Sequence, residues 1–154
     1  MIYQIFSDAS VDVENKRCKV AYTILTKAYY LHSDNFIVKD ITVSHLAECE
    51  ALRRALEYFV NHYTLSSNDY VEIFVDSKYV YQFVRAVIRT KTNILRENEE
   101  PCMRPITAEH LVDIYDFLMG INSKMKVTKI RSHTGSLNAH AFVDRLTKVA
   151  TKEV

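Results

Sequence analysis

Two periodicities of apolar residues take turns along the chain. Residues 2–8 alternate as a strand, with Gln4, Phe6 and Asp8 on one face, so that Asp8 closes it. Asn15, Lys16 and Arg17 mark a hairpin tip. Residues 18–26 and 28–43, rich in Val, Ile, Thr and Tyr, supply two more strands, the second broken near Ser33, Asp34 and Asn35. Short links between these three predict an antiparallel meander. Residues 44–63 then switch to a helical period, with Glu48, Ala51, Leu52, Ala55 and Phe59 on one stripe. Glu48 therefore faces the sheet. Glu50 lies off the stripe, placed to pair with Arg53 or Arg54 on the surface.

Residues 71–75 read as a buried strand that runs into a helix over 77–89, with Asp76 at the joint. An ionised Asp at a buried strand end is costly unless something cationic meets it. The plainer reading makes Asp76 the helix N-cap, with Ser77 and Lys78 in the first turn. Val80, Phe83, Val84 and Val87 form the apolar stripe of that helix. Residues 89–105 are irregular, mixing Arg89, Lys91, Arg96 and Arg104 with Glu97, Glu99 and Glu100, as a solvated charged loop does. A helix over 108–119 turns Leu111, Ile114, Tyr115 and Leu118 inward, and Gly120 caps it. Residues 125–131 form a last strand. A loop carries His133, and a final helix over 138–152 puts Phe142, Leu146, Val149 and Ala150 inside. Asp144 falls off that stripe, and periodicity alone leaves it exposed.

The order β-β-β-α-β-α-α-β-α predicts an α/β fold around a mixed sheet. The strands ending in Asp8 and Asp76 lie parallel and adjacent, because a helix-length crossover links the third strand to 71–75. Glu48 then descends onto both. Carboxylates this close raise each other's pKa unless a cation neutralises them. Oxygen donors of this kind suit Mg²⁺ or Mn²⁺ better than zinc.

Composition narrows the class. The chain has 154 residues, enough for one domain with a real core. Gly and Pro number two each, which argues against linkers. No apolar run is long enough for a membrane span, and the N-terminus shows no basic segment with an apolar core, so no signal peptide is expected. Three scattered cysteines, Cys18, Cys49 and Cys102, predict a reducing compartment and no disulfide framework or zinc site. The net charge of +1 neither announces nor excludes a nucleic-acid partner, so any basic surface must be local.

Four pieces in order resemble the type 1 ribonuclease H family over nearly the whole chain. Phe6-Ser7-Asp8-Ala9-Ser10 is similar to the family's first-strand Asp-Ala-Ser or Asp-Gly-Ser, and Leu46-Ala47-Glu48-Cys49-Glu50-Ala51-Leu52 to its Glu helix. Val75-Asp76-Ser77-Lys78-Tyr79-Val80 is similar to its Asp-Ser-x-Tyr-Val. Arg131-Ser132-His133-Thr134-Gly135, followed by Val143-Asp144-Arg145-Leu146, is similar to its His loop and final-helix Asp. The resemblance implies a ribonuclease H-like five-stranded sheet, three strands antiparallel and then two parallel, flanked by helices, in a single catalytic domain over 1–154. It implies Asp8, Glu48, Asp76 and Asp144 as ligands of two Mg²⁺ ions about 4 Å apart, with Mn²⁺ able to substitute. Asp8 would bridge them, and His133 would relay a proton or help release product.

The implied reaction is hydrolysis of the RNA strand of an RNA–DNA hybrid, giving 5′-phosphate products. Ser10, Ser44, His45 and Ser77 are candidate strand contacts. Ser44 and His45 stand where the family commonly has two Asn. The expected protein is a cytoplasmic monomer with no membrane partner. Two alternatives stay open at this point: a nuclease or recombinase of the same fold with another substrate, and a silent nucleic-acid-binding module.

Overall fold

β-Branched and aromatic residues spaced two apart build the first half of the molecule. In the computed structural model, which describes residues 1–27, 30–93, 97 and 109–130, three strands form an antiparallel meander. They are β1 (Ile2–Asp12), β2 (Arg17–Thr26) and β3 (Tyr30–Lys39). β1 runs past Asp8, pairing through Asp12↔Arg17 before the turn. β3 passes unbroken through Ser33, Asp34 and Asn35, which pair with Thr23, Tyr22 and Ala21. The expected break is absent because a hydrogen bond between the Thr23 and Ser33 hydroxyls and the backbone ladder satisfy this polar stretch. The irregularity sits on the partner strand, between Ile24 and Leu25.

α1 (Ser44–His62) then crosses to β4 (Tyr70–Val75), which pairs in parallel with β1. α2 (Lys78–Thr92) and α3 (Glu109–Gly120) lead to β5 (Lys124–Lys129), parallel to β4. The sheet order is β3-β2-β1-β4-β5, the expected mixed five-stranded sheet. α2 runs to Thr92, longer than periodicity suggested, and closes on Asn93 in the left-handed region at φ 58°. Arg89 and Lys91 are thereby helical rather than part of a loop. Arg96, Arg104, Cys102, His133, Asp144 and the helix expected over 138–152 lie outside the described residues.

The core joins one sheet face to the three described helices. Ile5, Ile24, Ile73 and Val75 pack with Leu52, Leu56 and Phe59 of α1, Val80, Val84 and Val87 of α2, and Ile114 and Leu118 of α3. The expected stripe of α1 is buried throughout, Glu48 included. On α2, Phe83 is only half-buried, and the side chains below it are Val80, Val84, Val87 and Ile88. The other face of the central strands is also closed: Phe6 and Phe74 are buried there and stack at 4.3 Å with 4° between their planes. Burial on both faces makes β1 and β4 the rigid centre from which the strand ends project.

Candidate active site

The site grows from register. β1 and β4 pair through Phe6↔Phe74, and each strand places an Asp two residues further on. Asp8 and Asp76 therefore emerge at the same end of two neighbouring parallel strands, on the face of the stacked rings. In α/β sheets this carboxyl end is where active groups collect. Asp8 is buried, 6% exposed, and Asp76 is half-buried.

α1 brings the third acid. Its buried stripe holds the first turns against β1 and β2, through Ala47 and Ala51 against Cys18 and Val20, so Glu48 is carried to the sheet end at 7% exposure. There its carboxyl group hydrogen-bonds Asp8 and the backbone N–H of Ala9. Burial first, then the charge and hydrogen bond of Asp8, then the charge of Asp76, push the Glu48 pKa well above the usual carboxylate range. The Ala9 N–H works in the opposite direction without prevailing. A hydrogen bond between two carboxyl groups needs a proton on one of them, and the raised pKa of Glu48 favours holding it. Among the described residues no three His, Cys, Asp or Glu side chains close around a common point. Asp8 and Glu48 meet directly, and Asp76 acts on Glu48 through its charge. Paired oxygen donors eased by a proton fit a hard divalent cation, which would take over that neutralising role.

Asp76 is not the helix cap. Ser77 is: its extended backbone precedes α2 and its hydroxyl accepts from the Val80 N–H at 3.3 Å. Moving the cap one residue on leaves the Asp76 carboxylate outside the helix's hydrogen bonding. Glu50 needs a second correction. It pairs with both Arg53 (2.6 Å) and Arg54 (2.8 Å), as expected, but at 4% exposure it is buried rather than on the surface. Arg54 lies over the Phe36 ring at 4.7 Å, and this roof of guanidinium groups is what closes Glu50 off. Burial works to raise its pKa, yet the hydrogen bonds and charge of Arg53, with Arg54, hold it below the ordinary range. Two acids two residues apart on one helix thus carry opposite shifts: Glu48 meets acids and Glu50 meets bases.

The rim carries the other candidates. Ser10, Ser44 and His45 are exposed and Ser77 is half-buried. α1 opens at Val43 with no side-chain cap and no acid in its first turn. His45 meets Tyr79, ring centroids 4.8 Å apart, bridging the first turns of α1 and α2. Tyr79 is 43% exposed and escaped the residue-by-residue reading. Its signal was present, since both helices begin at the same end of the sheet and their first turns must be neighbours.

The family model described as RNase H matches residues 2–152. No curated protein sequence matches. Among solved structures, RNase H1 from the halophilic archaeon Halobacterium salinarum NRC-1 is 17% identical, covers 97% of this chain and 97% of its own, and superposes with a TM-score of 0.65. LC11-RNase H1, isolated from compost by a metagenomic approach, is 20% identical over 96% of this chain and 94% of its own, with a TM-score of 0.64. The structure of LC11-RNase H1 in complex with an RNA/DNA hybrid aligns at 18% identity over 96% and 95%, with a TM-score of 0.63. At these identities the likeness is one of fold.

Proposed function

The chain belongs to the RNase H family, and from that premise we propose that it hydrolyses the RNA strand of RNA–DNA hybrids in a divalent-metal-dependent reaction that leaves 5′-phosphate ends. The observation that carries this reading is the buried Asp8–Glu48 pair beside Asp76 at the carboxyl ends of β1 and β4. A binding module has no use for acids desolvated against each other. The hybrid bound in the LC11-RNase H1 structure supports the substrate class.

Asp8, Glu48 and Asp76 would hold Mg²⁺ or Mn²⁺, with Asp144 as the fourth ligand the family resemblance implies. Bound there, the metal supplies Lewis acidity to the attacking water and to the leaving 3′-oxygen. The protein's own part is positional. β1 and β4 fix two acids by register, and α1 presses the third onto them through a close-packed stripe. Ser10, Ser44, His45 and Ser77 are assigned the strand contacts in this reading, and 2′-hydroxyl contacts of this kind tell RNA from DNA. His133 is assigned the proton-relay role. Residues 1–154 act in this reading as one catalytic domain, a cytoplasmic monomer; no described helix is long and apolar enough to cross a membrane.

Asp8→Asn tests the reading. Mg²⁺ raises the melting temperature of the parent by mass action. The variant loses both that rise and cleavage. Equal Mg²⁺ stabilisation and equal cleavage in parent and variant would remove Asp8 from the site.

A further inference from the structure

We propose that the end of α3 is a binding site for a monovalent cation, which the chain fills with the ammonium group of its own Lys91. Lys91 lies in the last turn of α2 and reaches across to the neighbouring helix. There it donates to the Leu118 carbonyl at 3.0 Å, to the Met119 carbonyl at 3.2 Å and to the Ile121 carbonyl. An ammonium group carries three donors, which matches the three oxygens. Ile121 stands just before β5, whose first residue, Lys124, pairs with Tyr70 at the start of β4. The site is therefore at the end of the sheet opposite the acids, and its occupancy is separate from the proposed reaction.

The way α3 ends leaves these oxygens available. A helix has no internal donors for its last carbonyls. α2 meets that need with Asn93, whose left-handed backbone turns its N–H onto the Arg89 and Thr90 carbonyls. α3 closes differently, since neither Gly120, its last residue, nor Ile121 is left-handed. The Ile121 N–H reaches the Leu118 carbonyl at 3.2 Å in a tight final turn. The second lone pair of that oxygen, with the Met119 and Ile121 oxygens, goes to Lys91.

The donor set decides the class of ion. Mg²⁺ and Ca²⁺ sites are built around carboxylates, whereas this one is three neutral carbonyls at the negative end of a helix dipole. Burial lowers the Lys91 pKa, and among the described residues no carboxylate charge opposes it. The carbonyl dipoles, not an ion pair, therefore balance the charge. Backbone carbonyls that replace a hydration shell are the ligands potassium ions use, and ammonium and potassium ions are close in size. By supplying the cation on a tether, the chain makes its fold indifferent to which monovalent salt surrounds it. Without the tether, a free potassium or ammonium ion takes the same place.

The test is thermal melting of the parent and Lys91→Ala in chelator, in potassium, ammonium or tetramethylammonium chloride at one ionic strength. Tetramethylammonium has the charge but is too large for the carbonyls and has no N–H to give them. The parent melts at the same temperature in all three salts. Lys91→Ala melts lower than the parent in tetramethylammonium. Its melting temperature rises by about 2–4 °C at a potassium concentration several times Kd, along a saturating curve, and ammonium does the same. Lys91→Gln keeps one amide donor on a shorter stem and secures the measurement should the Ala variant melt too low to follow. It shows the same potassium dependence with smaller amplitude. Equal melting in potassium and tetramethylammonium by both variants, or a potassium response as large in the parent as in the variants, would overturn the site.

Discussion

Glu48 of α1 and Asp8 of β1, forty residues apart in the chain, meet in a buried hydrogen bond that requires a proton. Burial and the neighbouring acids raise the folded-state pKa of Glu48 above its ordinary 4.5. Between those two values the folded protein holds more protons than the unfolded chain. Its stability in the absence of metal must therefore fall as pH rises through that window. In Glu48→Gln the fall disappears. Urea melts of both proteins in chelator, across pH, read the difference.

The two glutamates of α1 separate chemistry from stability. Glu48→Gln abolishes hybrid cleavage while the metal-free protein stays at least as stable, since the Gln amide can donate to Asp8 without taking up a proton. Glu50→Gln keeps cleavage but destabilises the fold by about 2 kcal/mol, because Arg53 and Arg54 lose a buried charged acceptor. The Glu50 pKa is depressed, so its contribution is present above the ordinary carboxylate range and lost as pH falls through the folded value. Paired melts and cleavage assays check both halves.

Asp76 and Ser77 divide in the same way. Ser77→Ala removes the α2 cap and costs about 1 kcal/mol. Asp76→Asn removes cleavage and leaves the metal-free melting temperature unchanged or higher. A clear drop in that temperature, with cleavage retained, would return Asp76 to a structural role.

Lys91→Met tests the division of labour along α2. Losing the contacts to the α3 carbonyls costs about 1–3 kcal/mol of stability. Hybrid cleavage is unchanged, because the Lys91 ammonium group is engaged with the carbonyls at the end of α3 and not with the acids at the strand ends. Melts and cleavage assays on the one variant report the two effects separately.

Legibility followed the strength of the local pattern. The stripe of α1 was readable because its apolar residues repeat strictly, and it delivered Glu48 to the right face. The joint at Asp76 was readable as a place but not as a role. Sequence alone cannot tell whether Asp76 or Ser77 caps a helix, since both side chains suit the task and the choice depends on where the backbone turns. The burial of Glu50 was invisible for another reason. It depends on Arg54 folding over Phe36, a residue of a strand distant in sequence. The break expected near Ser33 reflected weak strand propensity, which cross-strand hydrogen bonding overrode.

The most direct test is a cleavage panel: RNA–DNA hybrid, DNA duplex and RNA duplex, each labelled on both strands and each with Mg²⁺, Mn²⁺ or chelator. The account predicts that only the RNA strand of the hybrid is cut, with either metal, to 5′-phosphate ends, and that chelator stops the reaction. Cleavage of DNA duplex in preference to hybrid, or undiminished cleavage in chelator, would contradict it.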